Sequence, residues 1–366
     1  MRVLTVNAGS SSLKLRLLAG DDRQPTGFSV DKEYDDLGEA LAGNDDVDAV
    51  GHRFVHGGHL VTGAALLDET VLGHLRDLVP LAPLHQPTAL DAVEQVTARW
   101  PDVPQVACPD TAFHSDLPAA AALPAVPREW VDAHRLRRYG FHGLSVASAS
   151  RRVGELYPEA HLLVVAHLGS GASLTAVRNG RSVDTTMGFT PLDGLVMSTR
   201  SGGLDPGMVL WLVAQGMTPQ DLVHDLETRS GLTAIAGTGD MREILTRRDA
   251  GDVAADLAYA VYVHRLRSLM ASMVAALEGI DVLVLTGGVA EGSATVRASA
   301  TGALSWLGVE LDHDLNADAA GIQDVADLTA PSSASRVLLV AAREDVEIAR
   351  QTVKILTGDP AGRTTT

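Results

Sequence analysis

The chain has 366 residues, 46% of them hydrophobic, which is long for one core and comfortable for two domains. Acidic residues outnumber Lys and Arg 46 to 29, a formal net charge of −17, so a nucleic-acid backbone or an anionic membrane surface would be repelled and neither is expected as a partner. Cys108, the single cysteine, excludes an internal disulfide and a cysteine-rich metal site; no apolar run reaches about eighteen residues, and MRVLTVNAGSSS turns polar too early for a signal peptide, so the expectation is a cytoplasmic protein.

Arg2 to Leu18 reads as strand, turn, strand: RVLTV is a buried apolar run, NAGSSS a turn, and LKLRLL alternates between faces. Asn7, Ser10 and Ser12 bring amide and hydroxyl groups into a glycine turn, which suits a phosphate or a Mg²⁺-bound water. The GxxxxGK[ST] spacing is absent and a strand follows, so the segment alone fits a plain hairpin equally well. Residues 20–48 are acidic and carry only weak strand and helix signals. DAVGHRFVHGG is a strand that leaves the core at a glycine pair. His52, His56 and His59 would match a metalloprotease spacing only on a helix, and Gly57 with Gly58 argues against one, so zinc is not expected. Arg53, at this strand's end, fits either a ligand-facing arginine or an ordinary ion pair.

Leu66 to Leu78 has helical periodicity. PLAPLHQP then interrupts it around His85, and a second helix is expected over Thr88 to Arg99. VPQVACPDTAFH is another buried strand, with Cys108 in its core and Asp110 at its polar end, where strands of an open α/β sheet face ligands. Phe141, His142 and Gly143 precede a helix whose N-terminus suits an anion, with His142 a candidate donor to a phosphoryl group. HLLVVAHLGSGASLTAVRNGRSV repeats the first design, closed by an Asn179–Gly180 hairpin turn. Two such units in one chain suggest duplicated ribonuclease H-like halves closing on a nucleotide.

Ser182 to Pro206, SVDTTMGFTPLDGLVMSTRSGGLDP, keeps neither the helical nor the strand period and is expected to be one long loop. It is too apolar for a solvated linker, so it reads as a functional surface. Its only basic residue, Arg200, lies in STRSGG, where glycines admit a ligand to the backbone. MVLWLVAQG and PQDLVHDLETRSG are helical, and Gly231 to Asp240 is a glycine-broken stretch ending in DMR. Asp252 to Leu277 is a long amphipathic helix with Leu257, Val261, Leu266, Met270, Val274 and Leu277 as its buried stripe. DVLVLTGGVAEGS is a strand entering a diglycine turn where backbone can pack against a base or ribose. SRVLLVAAREDVEIARQTVKIL is a last strand and helix; Glu344 and Asp345 at the junction are also what simple capping would place there. GDPAGRTTT reads as a frayed tail.

In order along the chain, VNAGSSSLK, GHRFVHGG, PLAPLHQP, DTAFH, RRYGFHG, HLGSGAS, DTTMGFTPLDGL, TRSGGLDP, GDMR, TGGVAEGS and REDVEIAR resemble the acetokinase family, of the superfamily that also holds sugar kinases, actin and the heat-shock ATPases. The resemblance implies an α/β fold of two ribonuclease H-like (actin-like ATPase) domains with a nucleotide cleft between them. Residues 1–112, completed by 346–366, would form one domain and 113–345 the other. It implies a homodimer that transfers a phosphoryl group between ATP and acetate by direct in-line attack, with Mg²⁺ or Mn²⁺. Propionate or another short-chain acid is the alternative acceptor.

Carried onto matching positions, the resemblance places Asn7 and Glu344 at the metal and Lys14 near phosphate. Asp110, His142, Arg53 and Arg200 would carry catalysis. Val55, Leu84, Phe141 and Pro191 would enclose the acid's methyl group beside Arg53. His167, Gly169, Ser170 and Gly171 would line the phosphates, and Asp240, Met241, Arg242, Gly287, Gly288 and Val289 the adenosine. His85 is carried with them. Ser170 stands where the family's HLGNG has an amide.

Overall fold

A computed structural model describes residues 1–8, 13–19, 25–32 and 47–358. Ser10 and Ser12, residues 20–24 and 33–46 of the weakly patterned stretch, and the tail beyond Gly358 lie outside the described residues. The chain divides into two compact units: Met1–Ser115, Phe141–Ser148 and Arg343–Thr366 form the first, and Asp116–Gly140 and Ala149–Ala342 the second. Phe141–Ser148, assigned from sequence to the second domain, therefore packs with the first. The reason is local: the His114 ring Nε2 is 3.0 Å from the Phe141 carbonyl oxygen, and a Cβ on Gly143 would overlap the carbonyl of Asp110.

The first unit holds a six-stranded sheet made of β1 (Arg2–Ala8), β2 (Leu13–Ala19), β3 (Pro25–Lys32), β4 (Ala49–Phe54), β5 (Ala65–Leu66) and β6 (Gln105–Pro109), in the order β3-β2-β1-β4-β6-β5. The β1–β2–β3 meander is antiparallel, β1–β4–β6 is parallel, and β5 lies antiparallel on the edge at β6. The two-residue period sorts the core. Leu4, Val6 and Val50 face Ala92 and Val96 of helix Gln86–Arg99, whereas Val3 and Ala49 face Val346 and Ala349 of the C-terminal helix Glu344–Thr357. Gly51 lets that helix approach, since a Cβ there would overlap the side chains of Ile348 and Thr352.

The second unit repeats the plan with β7 (Leu162–Leu168), β8 (Ala172–Arg178), β9 (Arg181–Thr185), β10 (Val282–Thr286), β11 (Val325–Asp327) and β12 (Arg336–Val340), in the order β11-β12-β10-β7-β8-β9. Here β7–β8–β9 is the antiparallel meander, β7–β10–β12 is parallel, and β11 is an antiparallel edge on β12. Strand for strand this is the first sheet again, as the repeated strand–turn–strand pattern implied. Asn179 and Gly180 both have positive φ, 52° and 74°, as the tight β8–β9 hairpin requires.

Several boundaries differ from the sequence reading. The loop expected from Ser182 begins only after Thr185, because β9 completes the hairpin. Leu66 belongs to β5, and the first helix starts at Glu69, where Asp68 caps it by accepting the Val71 N–H at 2.8 Å. The next helix begins at Gln86, before Pro87, which is tolerated in a first turn that needs no N–H. Gly231–Ala236 is a short helix. On helix Val253–Leu277, Leu257 is 56% exposed; the buried stripe runs through Ala258, Tyr262, Leu266, Met270, Met273 and Leu277, a helical face that small and aromatic residues also share. No helix among the described residues is long and apolar enough to cross a membrane.

Candidate active site

In the first unit, parallel strands end in a connected polar cluster. Arg53 is next to last in β4, and its Nη2 and Nε donate to Asp110 Oδ2 at 2.6 and 3.1 Å. Arg53 Nη1 donates to Asn7 Oδ1 at 3.1 Å, and Asn7 Nδ2 donates to Glu344 Oε2 at 2.7 Å. Asn7, Arg53, Asp110 and Glu344, named from four separate segments, thus form one hydrogen-bonded chain.

Asp110 is fully buried directly after β6. Burial pushes its carboxyl up, Arg53 pulls it down, and the nearby Glu344 carboxylate pushes it up again, for a net rise. Burial alone would lower Arg53, but Asp110 and then Glu344 raise it well above its ordinary value. Asp110 Oδ1 has no hydrogen-bond partner of good geometry, although the Leu144 N–H in the first turn of helix Gly143–Leu156 leans on the carboxylate as a whole.

His142 opens that helix in the left-handed region, φ 56°, which a residue with a Cβ adopts at a cost. Phe141, fully buried, meets the His56 ring edge-on with 5.6 Å between centroids. Val55 is buried, Leu84 is exposed in the turn after Leu81, and His85 is half-buried at the cap of helix Gln86–Arg99. Lys14 is exposed and sits opposite Asn7 in the β1–β2 pair. His52 and His56 are buried, and no group of three or more metal-ligating His, Cys, Asp or Glu side chains occurs among the described residues.

In the second unit, the turns named from sequence are tied together through Ser198. Ser198 N–H donates to the Ser170 carbonyl at 3.1 Å, and its hydroxyl donates to the Gly239 carbonyl at 2.9 Å. That links the Gly169–Gly171 turn after β7, the Arg200 segment and the turn before Asp240. Helix Gly231–Ala236 clamps the same segment: the Leu232 and Thr233 N–H groups donate to the Met197 and Ser198 carbonyls at 3.0 and 2.9 Å. Thr199 Oγ1 donates to the Glu227 carbonyl at 2.6 Å. Burial pushes the Glu227 carboxyl up while Arg200 pulls it down.

The long loop after β9 is anchored at its other end by Arg138. Its Nη1 donates to the Thr185 and Thr186 carbonyls at 2.9 and 3.1 Å, and Tyr139 N–H donates to the Gly188 carbonyl at 2.9 Å. Pro191 is buried within that loop. His167, next to last in β7, pairs with Ser173 and Thr286 of the neighbouring strands, and Gly287 follows β10 with its backbone against Leu168.

Met241 is buried in the core at the start of helix Met241–Asp249, capped by Asp240, whose carboxylate accepts the Arg242 N–H at 2.9 Å. Arg242 folds back on Asp240 at 2.6 Å with its side chain 90% exposed. Ser198, Arg138, Glu227 and Glu291 were not singled out from sequence. Most of their bonds end on backbone atoms, which leave no residue-type signal.

Two sheets of this order, with an antiparallel meander on a parallel core in each and polar groups gathered at strand ends, define the ribonuclease H-like, actin-like ATPase fold class. The model of the acetokinase family matches residues 29–350. An acetate kinase of Microcystis aeruginosa is 43% identical over 356 residues, covering 95% of this chain and 87% of that one. One of Streptomyces coelicolor is 40% identical and covers 98% of each. Among solved structures, a propionate kinase from Francisella tularensis superposes with a TM-score of 0.89 at 32% identity, covering 97% of this chain and 99% of that one. Porphyromonas gingivalis acetate kinase gives 0.85 at 32% identity, with the same coverage. The chain belongs to the acetokinase family.

Proposed function

We propose that this protein transfers a phosphoryl group reversibly between ATP and acetate, giving acetyl phosphate and ADP by direct in-line attack. The observation that carries the reading is the part-buried hydrogen-bonded chain Glu344–Asn7–Arg53–Asp110, in a chain of the acetokinase family. A carboxylic acid with a pKa of about 4 to 5 is ionised at neutral pH, so the nucleophile needs no general base. It needs charge neutralisation, because two anions must meet. Arg53 and Arg200 supply fixed positive charge to the acid and the phosphoryl group, and His142 donates to the phosphoryl oxygens. Val55, Leu84, Phe141 and Pro191 are the apolar groups assigned to the acid's methyl.

Mg²⁺ suits the donor set. Asp110, whose buried Oδ1 has no hydrogen-bond partner of good geometry, and Glu344 would supply the carboxylates that such an ion takes beside waters and nucleotide phosphates. When bound, it offsets negative charge on the phosphates. Mn²⁺ shares the preference for oxygen ligands. Asn7 accepts from Arg53 and donates to Glu344, so its work is to orient both. A homodimer is part of the reading, supported by helix Pro206–Ala214, PGMVLWLVA, in which no residue is buried.

Propionate is the second reading of the acceptor, favoured by the likeness to the Francisella propionate kinase. A pocket discriminates one methylene by about 10- to 200-fold at most, so use of both acids is expected, with acetate preferred. Trapping the acyl phosphate as its hydroxamate, with acetate, propionate and butyrate supplied in parallel, decides the matter. Absence of hydroxamate with all three acids rules the proposal out, and a higher kcat/KM for propionate transfers it to the second reading.

A further inference from the structure

Glu291 joins two segments that the reaction would use. Its carboxylate oxygen Oε1 accepts the Gly287 N–H and the Ala342 N–H, each at 3.0 Å. Gly287 opens the turn after β10 with φ 88°, and a Cβ there would lie 2.7 Å from the Leu168 carbonyl oxygen, one residue before the Gly169–Gly171 turn. Ala342 follows β12 and stands two residues before Glu344. The Glu291 N–H donates back to the Gly287 carbonyl at 2.9 Å, so the turn is closed from both sides.

The short helix carrying Glu291, Gly288–Gly292, is in turn held by Arg297, a fully buried side chain. Arg297 Nη1 donates to the Ala290 and Glu291 carbonyls at 2.7 and 3.2 Å, while Nε and Nη2 donate to Asn316 Oδ1 and the Asn316 carbonyl at 2.6 and 2.7 Å. Every one of these acceptors is neutral, and burial lowers the guanidinium from its ordinary value. A buried cation without a carboxylate costs stability. It is placed where the last carbonyls of the helix point, so it fixes the end of the segment from which Glu291 reaches back.

We propose that Glu291 is a positioning residue for the nucleotide: it shapes the Gly287–Val289 turn and ties it to the end of β12, with Arg297 fixing its backbone. This rests on the reading that Gly287, Gly288 and Val289 face the adenosine. An ionised carboxylate accepting two amides through one oxygen is a strong anchor, and a glutamine keeps an oxygen there without the charge.

The test compares wild type, Glu291→Gln and Glu291→Ala by titration with MgADP, by kinetics in MgATP and acetate, and by thermal melting. Displacement of a binding turn is expected to weaken MgADP about 10- to 100-fold in Glu291→Ala and about three- to fivefold in Glu291→Gln, with acetate KM within about twofold of wild type. Should the alanine variant fail to fold, the glutamine variant decides alone. A change in MgADP affinity below about twofold overturns the proposal, as does a rise in acetate KM equal to that for MgATP. A wild-type protein that does not bind MgADP overturns the underlying reading as well, a different outcome from a wild type that binds and variants that bind equally.

Discussion

Replacing Arg200 by alanine removes the only basic side chain in the loop between β9 and helix Pro206–Ala214, while its backbone links to Met197 need no side chain. An arginine acting on transition-state charge is worth about 10³-fold or more in turnover, so Arg200→Ala is expected to lose that much kcat and to keep MgADP binding within a few-fold. A loss under about tenfold would make Arg200 a structural residue. A second residue-scale effect concerns His52. The Thr97 hydroxyl donates to the Val93 carbonyl and accepts from Gln105 Nε2, which turns Gln105 Oε1 towards His52 at 2.7 Å and makes His52 Nε2 a donor. Its Nδ1 is buried without a partner, and burial lowers the imidazole to about 4 against an ordinary 6.5, with Gln105 opposing. The unfolded chain takes up this proton before the folded one does, so stability is full above pH 6.5 and is lost as pH falls towards 4. The full loss is about 3 kcal/mol. His52→Asn should start less stable but show a shallower decline in melting temperature between pH 7 and 5 than wild type; parallel declines would exclude His52 as the source.

At the scale of elements, the position of Arg200 depends on a helix whose own sequence looks broken. Gly231 has φ 63°, and a Cβ there would lie 2.6 Å from the Arg200 carbonyl oxygen and 2.9 Å from its nitrogen. Gly231→Ala must push the Arg200 segment away, so turnover is expected to fall by about 10²-fold, the scale of a misplaced reacting group, with the circular dichroism of the fold retained. Full activity in that variant would show that the clamp has slack. This contact also marks what the sequence conceals. Buried strands, the repeated hairpin, the ends of β4 and β6 and the Asn179–Gly180 turn were legible because apolar period and turn chemistry are local. The conjunction of Asn7, Arg53, Asp110 and Glu344 was legible only through the family motifs, since four distant segments must converge to make it. Ser198 to Ser170 and Gly239, or Glu291 to Gly287 and Ala342, left no trace because a carbonyl or N–H is offered by nearly every residue type. The short helix at Gly231 was read as broken because its positive-φ glycine serves the neighbouring loop rather than its own segment.

At the scale of the whole molecule, helix Pro206–Ala214 is apolar around its circumference and yet has no buried residue; Leu210 is 70% and Trp211 60% exposed. A helix of that composition on a free surface lacks the polar face that surface helices carry. In a homodimer with two-fold symmetry the same patch is presented by both copies, so one substitution is felt twice. A buried aromatic anchor is worth about 2 kcal/mol or more, and two copies therefore about 4 kcal/mol, or roughly 10³-fold in the dimer dissociation constant. Introducing a carboxylate adds the cost of burying charge. Sedimentation of wild type at micromolar concentration should give twice the chain mass, and Trp211→Glu should give the mass of one chain with an unchanged near-neutral melting transition for the first unit, which contains none of the helix. A variant that stays dimeric would move the interface elsewhere, and a monomeric wild type would remove the homodimer from the proposed function.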